Sequence, residues 1–269
     1  MDTSFPWTTR RAGRRQVLSA LGLGLLSAVA LVVALVVARE SPPRAVYPLA
    51  VAVTFGAVLR YGWVSHVAPQ NRPADARLVE RDGRPGTQLR YSGTQWRLLL
   101  VVTSVPAVVL AVGAVDLAVT RPTGDGMGAS VLPALGALLF GWFLLAVARG
   151  RIVRGEIVLD RAGIRQRGRA GEVFLPWTAV TAVAAVQAGP APHLLIGCSP
   201  AGALERRWTT WFWRIDRRLD EPVLDIDCTL LALDQDAVRA FLTHYVEHPE
   251  DRAELGTSAS LGRLPGLGR

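Results

Sequence analysis

The sequence predicts an α-helical membrane region of about four transmembrane helices over residues 1–149, followed by an all-β unit capped by one α-helix over 150–250. Three observations carry this reading. Four apolar runs precede residue 149, the composition changes after Gly150, and short β-branched or aromatic runs then alternate with Gly and Pro. Half of the 269 residues are hydrophobic and 19% are charged, below the roughly 25% charged residues of an ordinary soluble domain. All 30 basic residues are arginine and the net charge is +8. Disorder, a collagen-like repeat, a disulfide-stapled secreted scaffold and a lysine-based nucleic-acid enzyme are excluded. The Ala-, Val-, Gly- and Leu-rich composition points to a GC-rich bacterial genome.

A hydrocarbon core about 30 Å thick needs roughly 20 apolar residues in a helix. Val17–Ala38 carries no charge, and Leu98–Thr120 carries only Asp116 and a tolerable Pro106. Val131–Ala148 places Trp142 where an interfacial aromatic sits. The weakest run, Ala45–Val64, contains Pro48, Thr54 and Arg60, with Tyr61 and Trp63 as interfacial anchors. The predicted spans are therefore about 17–38, 45–64, 98–120 and 131–148.

Arginine placement sets the expected orientation, because positively charged short loops stay in the cytoplasm. Arg10, Arg11, Arg14 and Arg15 precede the first span. Arg72, Arg77, Arg81, Arg84, Arg90 and Arg97 lie between the second and third, and Arg149, Arg151 and Arg154 follow the fourth. The opposite loops hold only Arg39, Arg44 and Arg121, a ratio of thirteen to three. A multi-pass protein of the inner (cell) membrane with both termini cytoplasmic is expected. Arg14-Arg15 before an apolar run also resembles a twin-arginine export signal, but three further spans do not suit such cargo. The spans lack the paired carboxylates, histidines or broken-helix symmetry of ion pathways.

After Gly150, strands are expected at Glu156–Asp160, Ile164–Arg167, Glu172–Leu175, Ala179–Val186, His193–Cys198, Trp208–Ile215 and Val223–Thr229. A helix over 234–248 follows, with Asp234 as N-cap, Val238, Phe241, Leu242 and Tyr245 at helical spacing, and Pro249 after its end. Residues 251–269 read as a flexible C-terminal tail.

Two motifs add a resemblance. Asp160-Arg-Ala-Gly-Ile164 forms a D-x-x-G-I turn, and Leu175-Pro-Trp-Thr-Ala-Val180 an L-P-W-x-x-V strand start. Together with the ending His248–Leu255, they resemble bacterial PH-like domains attached to membrane helices, of the actinobacterial low-molecular-weight antigen type. The resemblance covers about residues 150–255 and none of the spans. It implies a pleckstrin-homology-type barrel, no established enzymatic activity, and no functional residue to carry over. Trp177 is expected as a core anchor.

Candidate chemistry is sparse. His244-Tyr-Val-Glu-His248 matches the H-x-x-E-H pattern of inverted zinc peptidases, yet Pro249 ends the helix at once, so no metal or cofactor is expected. Cys198 and Cys228 form no C-x-x-C and read as small buried residues. Asp225 and Asp227 share one strand face, where acid–base work or, more simply, a polar outer surface explains them. What stands out is arginine. Arg165 and Arg167 share a strand face in the first predicted hairpin, where PH-type domains that bind phosphoinositides gather basic residues. Trp208, Trp211, Arg214, Arg217 and Arg218 belong to an aromatic–basic stretch. These seven residues form the expected contact with anionic lipid headgroups. Such a stretch also suits nucleic-acid stacking, but membrane residence argues for no nucleic acid. The expected function is a non-enzymatic membrane protein presenting an interaction module to the cytoplasm, toward a protein partner or anionic headgroups. The alternative is a transport or envelope-assembly subunit with a regulatory cytoplasmic domain.

Overall fold

The computed structural model describes residues 14–66, 75–120, 125–188, 191–199, 203–213 and 223–264. Four long helices are α1 (Arg14–Glu40), α2 (Val46–His66), α3 (Gly93–Thr120) and α4 (Asp125–Ala148). Each is long and apolar enough to cross a membrane. Leu132, Leu138 and Val119 are about three-quarters exposed. Apolar surface of this extent is costly in water and suits contact with lipid tails. The helices approach one another through small residues, as lipid-embedded helices do. Ala34, Ala50, Ala52 and Ala57 are buried, Ser27 Oγ donates to the Ala52 carbonyl at 2.9 Å, and a Cβ at Gly136 would strike Leu110. Gln95 Nε2 donates to Ser65 Oγ at 3.1 Å.

The β-rich unit is discontinuous. It draws on residues 75–93, between α2 and α3, as well as on the described residues after 150. Strands β1 (Ala76–Arg81) and β2 (Arg84–Arg90) form a hairpin, and Asp82 and Gly83 at its turn both have positive φ, at 53° and 73°. This is the conformation that an Asp-Gly pair adopts in a tight two-residue turn. β2 then pairs antiparallel with β3 (Glu156–Asp160), from Gly86 opposite Asp160 to Arg90 opposite Glu156. The expectation of a self-contained domain at 150–250 is thereby corrected: its first strand is laid against a hairpin borrowed from the loop between the second and third helices.

The remaining strands are β4 (Gly163–Arg167), β5 (Gly171–Pro176), β6 (Val180–Ala188), β7 (Ala191–Cys198), β8 (Glu205–Trp208) and β9 (Val223–Asp227). They complete two antiparallel sheets, a six-stranded one in the order β1-β2-β3-β4-β5-β8 and a three-stranded one in the order β6-β7-β9. The strand expected at 208–215 is displaced: β8 ends at Trp208, and Thr209 N turns back to the Ala170 carbonyl at 2.9 Å. One core joins both sheets and α5 (Gln235–Glu247). Leu89, Ile157, Leu159, Ile164, Leu194, Ile196, Ile226, Phe241 and Tyr245 are all within 2% of full burial. Asp234 caps α5 as expected, its Oδ1 accepting from Asp236 N at 2.9 Å and Ala237 N at 3.2 Å. Trp177 is buried; its Nε1 donates to the Asp160 carbonyl at 2.7 Å, and the Arg252 guanidinium lies 4.7 Å from its ring centre.

Residues 251–264 are folded, which corrects the expectation of a flexible tail; 265–269 lie outside the described residues. A 3₁₀ turn (Pro249–Glu254) and a short helix α6 (Ser258–Gly262) return the chain to the hairpin. Leu255 and Leu264 are buried, Ser260 Oγ lies 2.6 Å from Thr87 Oγ1, and Gly256 N donates to that same Oγ1 at 3.1 Å. His244 Nε2 meets Asp251 at 2.8 Å, Tyr245 donates to Glu254 at 2.7 Å, and Arg263 bridges Asp251 and Glu254. The Arg263 hydrogen bond holds the Glu254 carboxyl below its ordinary 4.5. Burial, then the bond to Glu254, pushes the Tyr245 phenol well above its ordinary 10.0.

Two outcomes follow from this packing. Leu89→Ala, a change in the loop between two helices, is expected to destabilise the β-rich unit by about 2–5 kcal/mol. Denaturant unfolding beside Ile157→Ala checks it, and a cost below ~1 kcal/mol would show the hairpin to be dispensable. Tail docking is expected to be pH-dependent at both ends. Because the folded Glu254 pKa is depressed, its contribution is present above pH 4.5 and is lost as pH falls through the lower folded value. Because the folded Tyr245 pKa is raised, its contribution is complete below pH 10.0 and declines as pH rises beyond. The protection of amides over 249–264, taken relative to the intrinsic exchange rate at each pH, should therefore fall at both extremes, and Arg263→Ala should shift the acid limb upward.

Candidate functional site

A cavity of about 270 Å³ opens in the β-rich unit where strands of both sheets meet. Period-two alternation builds its walls. On β8, Arg206 and Trp208 face the cavity while Glu205 and Arg207 are exposed; on β9, Asp225 and Asp227 face it. Gln166 on β4 and His193 on β7 complete a polar lining. His193 Nδ1 lies 2.6 Å from Asp225 Oδ1, and both side chains are more than nine-tenths buried. Gln166 Nε2 donates to Tyr91 Oη at 2.8 Å and to the Asp225 carbonyl at 3.0 Å. Asp227 Oδ1 accepts from Thr229 N at 2.8 Å and Thr229 Oγ1 at 2.6 Å. Arg206 Nη2 donates to the Val223 carbonyl at 3.4 Å, a bond between β8 and β9.

The two carboxylates of β9 are thus turned into a cleft rather than toward an outer face, and Asp225 is committed to a histidine. Sequence reasoning did not find His193, Gln166, Tyr91 or Arg169 as site residues. They come from separate strands and loops, and none carries a motif. The Leu224-Asp225-Ile226-Asp227 alternation and Trp208 of the aromatic–basic stretch were the two pointers toward the site.

The seven expected lipid-contact residues divide. Arg165 and Arg167 do share one face of β4, but Glu172 on β5 lies between them, at 3.4 Å from Arg165 Nη1 and 4.0 Å from Arg167 Nη1. Arg165 also reaches Asp82 at 3.8 Å and stacks over Phe174, while Glu172 takes Arg81 as a further partner at 3.4 Å. These arginines are part of a partly buried charge network. Trp208 stands in the cavity wall. Trp211 is 76% exposed and Phe212 53%, with their rings edge-on at 6.0 Å. The projection is fixed at its base, where Thr209 Oγ1 donates to the Ala170 carbonyl at 2.9 Å and Thr210 Oγ1 to the Trp213 carbonyl at 2.8 Å. Arg214, Arg217 and Arg218 lie outside the described residues.

The histidines of the H-x-x-E-H run serve the fold. His244 is held by Asp251, and His248 stacks on its ring at 4.5 Å. Among the described residues, no group of three or more His, Cys, Asp or Glu side chains is placed to hold a metal ion. Cys198 and Cys228 are buried and are not disulfide-bonded. Comparison with family models, with curated proteins and with solved structures finds no match.

Proposed function

We propose that this chain is a bacterial inner-membrane protein, non-enzymatic, that holds a PH-like interaction module at the cytoplasmic face and rests it on anionic lipid headgroups. The single observation that carries the reading is the exposed Trp211–Phe212 pair, projected from a fixed turn inside a stretch that bears Arg206, Arg207, Arg214, Arg217 and Arg218. Large aromatics favour the headgroup region, and each arginine near an anionic surface adds about 1 kcal/mol. The PH-like assignment is supported by two antiparallel sheets, a closing amphipathic helix and the buried Trp177 of the L-P-W-x-x-V motif. Arg165 and Arg167 contribute less to this reading, because Glu172 offsets them.

The topology has two supports. The first is the thirteen-to-three arginine ratio. The second is the pairing of β2 with β3. A hydrogen-bonded sheet cannot straddle a bilayer, so the α2–α3 loop and the segment after α4 share one compartment. Reporters placed after Glu40, within 67–74, within 121–124 and after Arg269 are expected to read outside, inside, outside and inside. A periplasmic signal at the last position would overturn the orientation.

The lipid contact is testable in the full chain. With a polarity-sensitive fluorophore on Trp211→Cys, emission is expected to shift to the blue in nanodiscs rich in anionic lipid at low salt. The shift should largely vanish at high salt, because the Debye length falls from about 10 Å at 0.1 M to about 3 Å at 1 M. Equal emission in anionic and zwitterionic nanodiscs would sink headgroup contact and leave a protein partner as the reading.

A further inference from the structure

We propose that the open edge of β6 is a self-association site, at which two copies of this chain pair their β6 strands antiparallel into one continuous sheet. This is independent of the headgroup contact, which uses Trp211 and Phe212 beyond β8. The two sheets end in four edge strands, β1, β8, β6 and β9. Three of them carry the usual guards against strand addition. β1 bears Arg77, Glu80 and Arg81, and β8 bears Glu205, Arg206 and Arg207. On the side of β9 away from β7, the carbonyls of Val223, Asp225 and Asp227 accept from Arg206, Gln166 and Leu230 N. β6 is different. Its nine residues, Val180-Thr-Ala-Val-Ala-Ala-Val-Gln-Ala188, include no charge, proline or glycine. Such a sequence suits a central strand, as the similarly uncharged β7 is. A bulge guards only its start, between Val180 and Ala182, and the register is regular from Ala182 opposite Gly197 to Ala188 opposite Ala191.

The ladder fixes which groups stay open. Cys228 N bonds the Pro192 carbonyl, so even-numbered residues of β7 turn their backbone to β9 and odd-numbered ones to β6. Ala182, Ala184 and Val186, opposite Gly197, Leu195 and His193, are therefore bonded to β7. Val183 and Ala185 turn their N–H and C=O to the open edge, where those groups meet no partner among the described residues. Their side chains pack against the core, whereas those of Ala182, Ala184 and Val186 are exposed. A two-fold axis at Ala184 satisfies two copies at once. Val183 of each copy exchanges hydrogen bonds with Ala185 of the other, Ala182 faces Val186, and Ala184 faces itself. The pairing is isologous, as in most dimers, and sets small uncharged side chains opposite one another. That selects a second copy as the occupant. At a net charge of +8 two copies repel over much of their surface, and this edge lets them meet without opposed like charges. The strand pair is smaller than the roughly 20–30 residues a side of a standard interface; confinement to one membrane supplies the effective concentration it needs.

The test uses the full chain in membranes of an expressing host, with disulfide trapping under mild oxidation. Facing residues that do not bond each other have Cα atoms about 4.5 Å apart, within disulfide reach. Ala184→Cys is therefore expected to trap a dimer. Ala182→Cys is not, because the pairing sets the two copies of that residue roughly 13 Å apart along the strand. The double variant Ala182→Cys/Val186→Cys should trap a dimer again. The unsubstituted chain, whose Cys198 and Cys228 are buried, sets the background. Ala184→Arg places like charges opposite each other and should abolish co-purification of two differently tagged copies. Co-expression with Ala184→Glu should restore it, which a misfolded chain would not do. Trapping at Ala184 no greater than background would overturn the inference and leave the edge to an extended segment of another protein. Equal trapping at Ala182, undiminished co-purification of Ala184→Arg copies, or no rescue by Ala184→Glu would overturn it as well.

Discussion

The ladder between β2 and β3 is the constraint on which the β-rich unit depends. It joins Gly86–Arg90 to Glu156–Asp160 across two membrane-length helices. Without it, β3 would present an unpaired edge carrying the buried side chains of Ile157, Val158 and Leu159, the kind of apolar edge that proteins avoid exposing. The hairpin's far end is tied to the second half of the core as well. Tyr91 bridges to Leu231, Ser92 N donates to the Leu230 carbonyl at 2.7 Å, and Ala232 N to the Arg90 carbonyl at 3.3 Å. Residues 84–92 therefore touch the first sheet on one side and the segment after β9 on the other. During synthesis this hairpin must wait for strands made much later, a long-range closure that slows folding.

The same hairpin changes the meaning of the arginine count. Arg77 bonds Gln88 at 2.5 Å, Arg81 bridges Glu156 at 2.9 Å and Glu172 at 3.4 Å, and Arg154 meets Asp75 at 2.5 Å and the Tyr91 carbonyl at 2.5 Å. Three of the thirteen arginines that argue for a cytoplasmic face are thus also cross-strand or loop-closing partners. Such pairs, half-exposed, are worth little singly. Linked through Glu156 and Glu172 they fix register across five consecutive strands, where a one-residue slip would set Arg81 and Arg165 against the apolar face. A net charge of +8 is accordingly not a free positive surface. Much of the charge on this unit is absorbed within its own sheet.

The parts legible in the sequence are those with strong local periodicity. Four long apolar runs give the long helices, and the Val238-Phe241-Leu242-Tyr245 spacing with its Asp234 cap gives α5 to within a residue. Six strands after residue 150 fall close to their expected ranges for the same reason. The hairpin was not legible as a strand pair, although Asp82-Gly83 is a strong turn signal. Its flanks, Ala-Arg-Leu-Val-Glu-Arg and Arg-Pro-Gly-Thr-Gln-Leu-Arg, are mostly polar, because one face carries the ion pairs and only Leu89 is a fully buried large apolar anchor. The tail escaped notice for a related reason. Leu255 and Leu264 are widely spaced, and what holds the segment is a set of side-chain bonds to Asp251, Glu254 and Thr87 that no periodicity announces. The cavity residues were illegible because they meet only in three dimensions.

Why a cavity exists at all follows from the way the two sheets end. β8 joins the first sheet by pairing with β5, and β9 joins the second by pairing with β7, so the two ladders stop on either side of a seam. Across it, side-chain bonds run from Arg206 to the Val223 carbonyl and from Gln166 to the Asp225 carbonyl. Backbone groups at such a seam need partners that a ladder no longer supplies, and Gln166 meets one of them at the Asp225 carbonyl. Gly168 and Gly171 border the space and, having no side chains, do not fill it. A core packed to crystal density leaves few voids larger than a water, and the neighbouring core here is filled by Leu, Ile and Phe at essentially complete burial. The space at the seam is therefore bounded by rigid walls on both sides. Its polar lining is held by bonds within the chain, among them His193 to Asp225 and Gln166 to Tyr91.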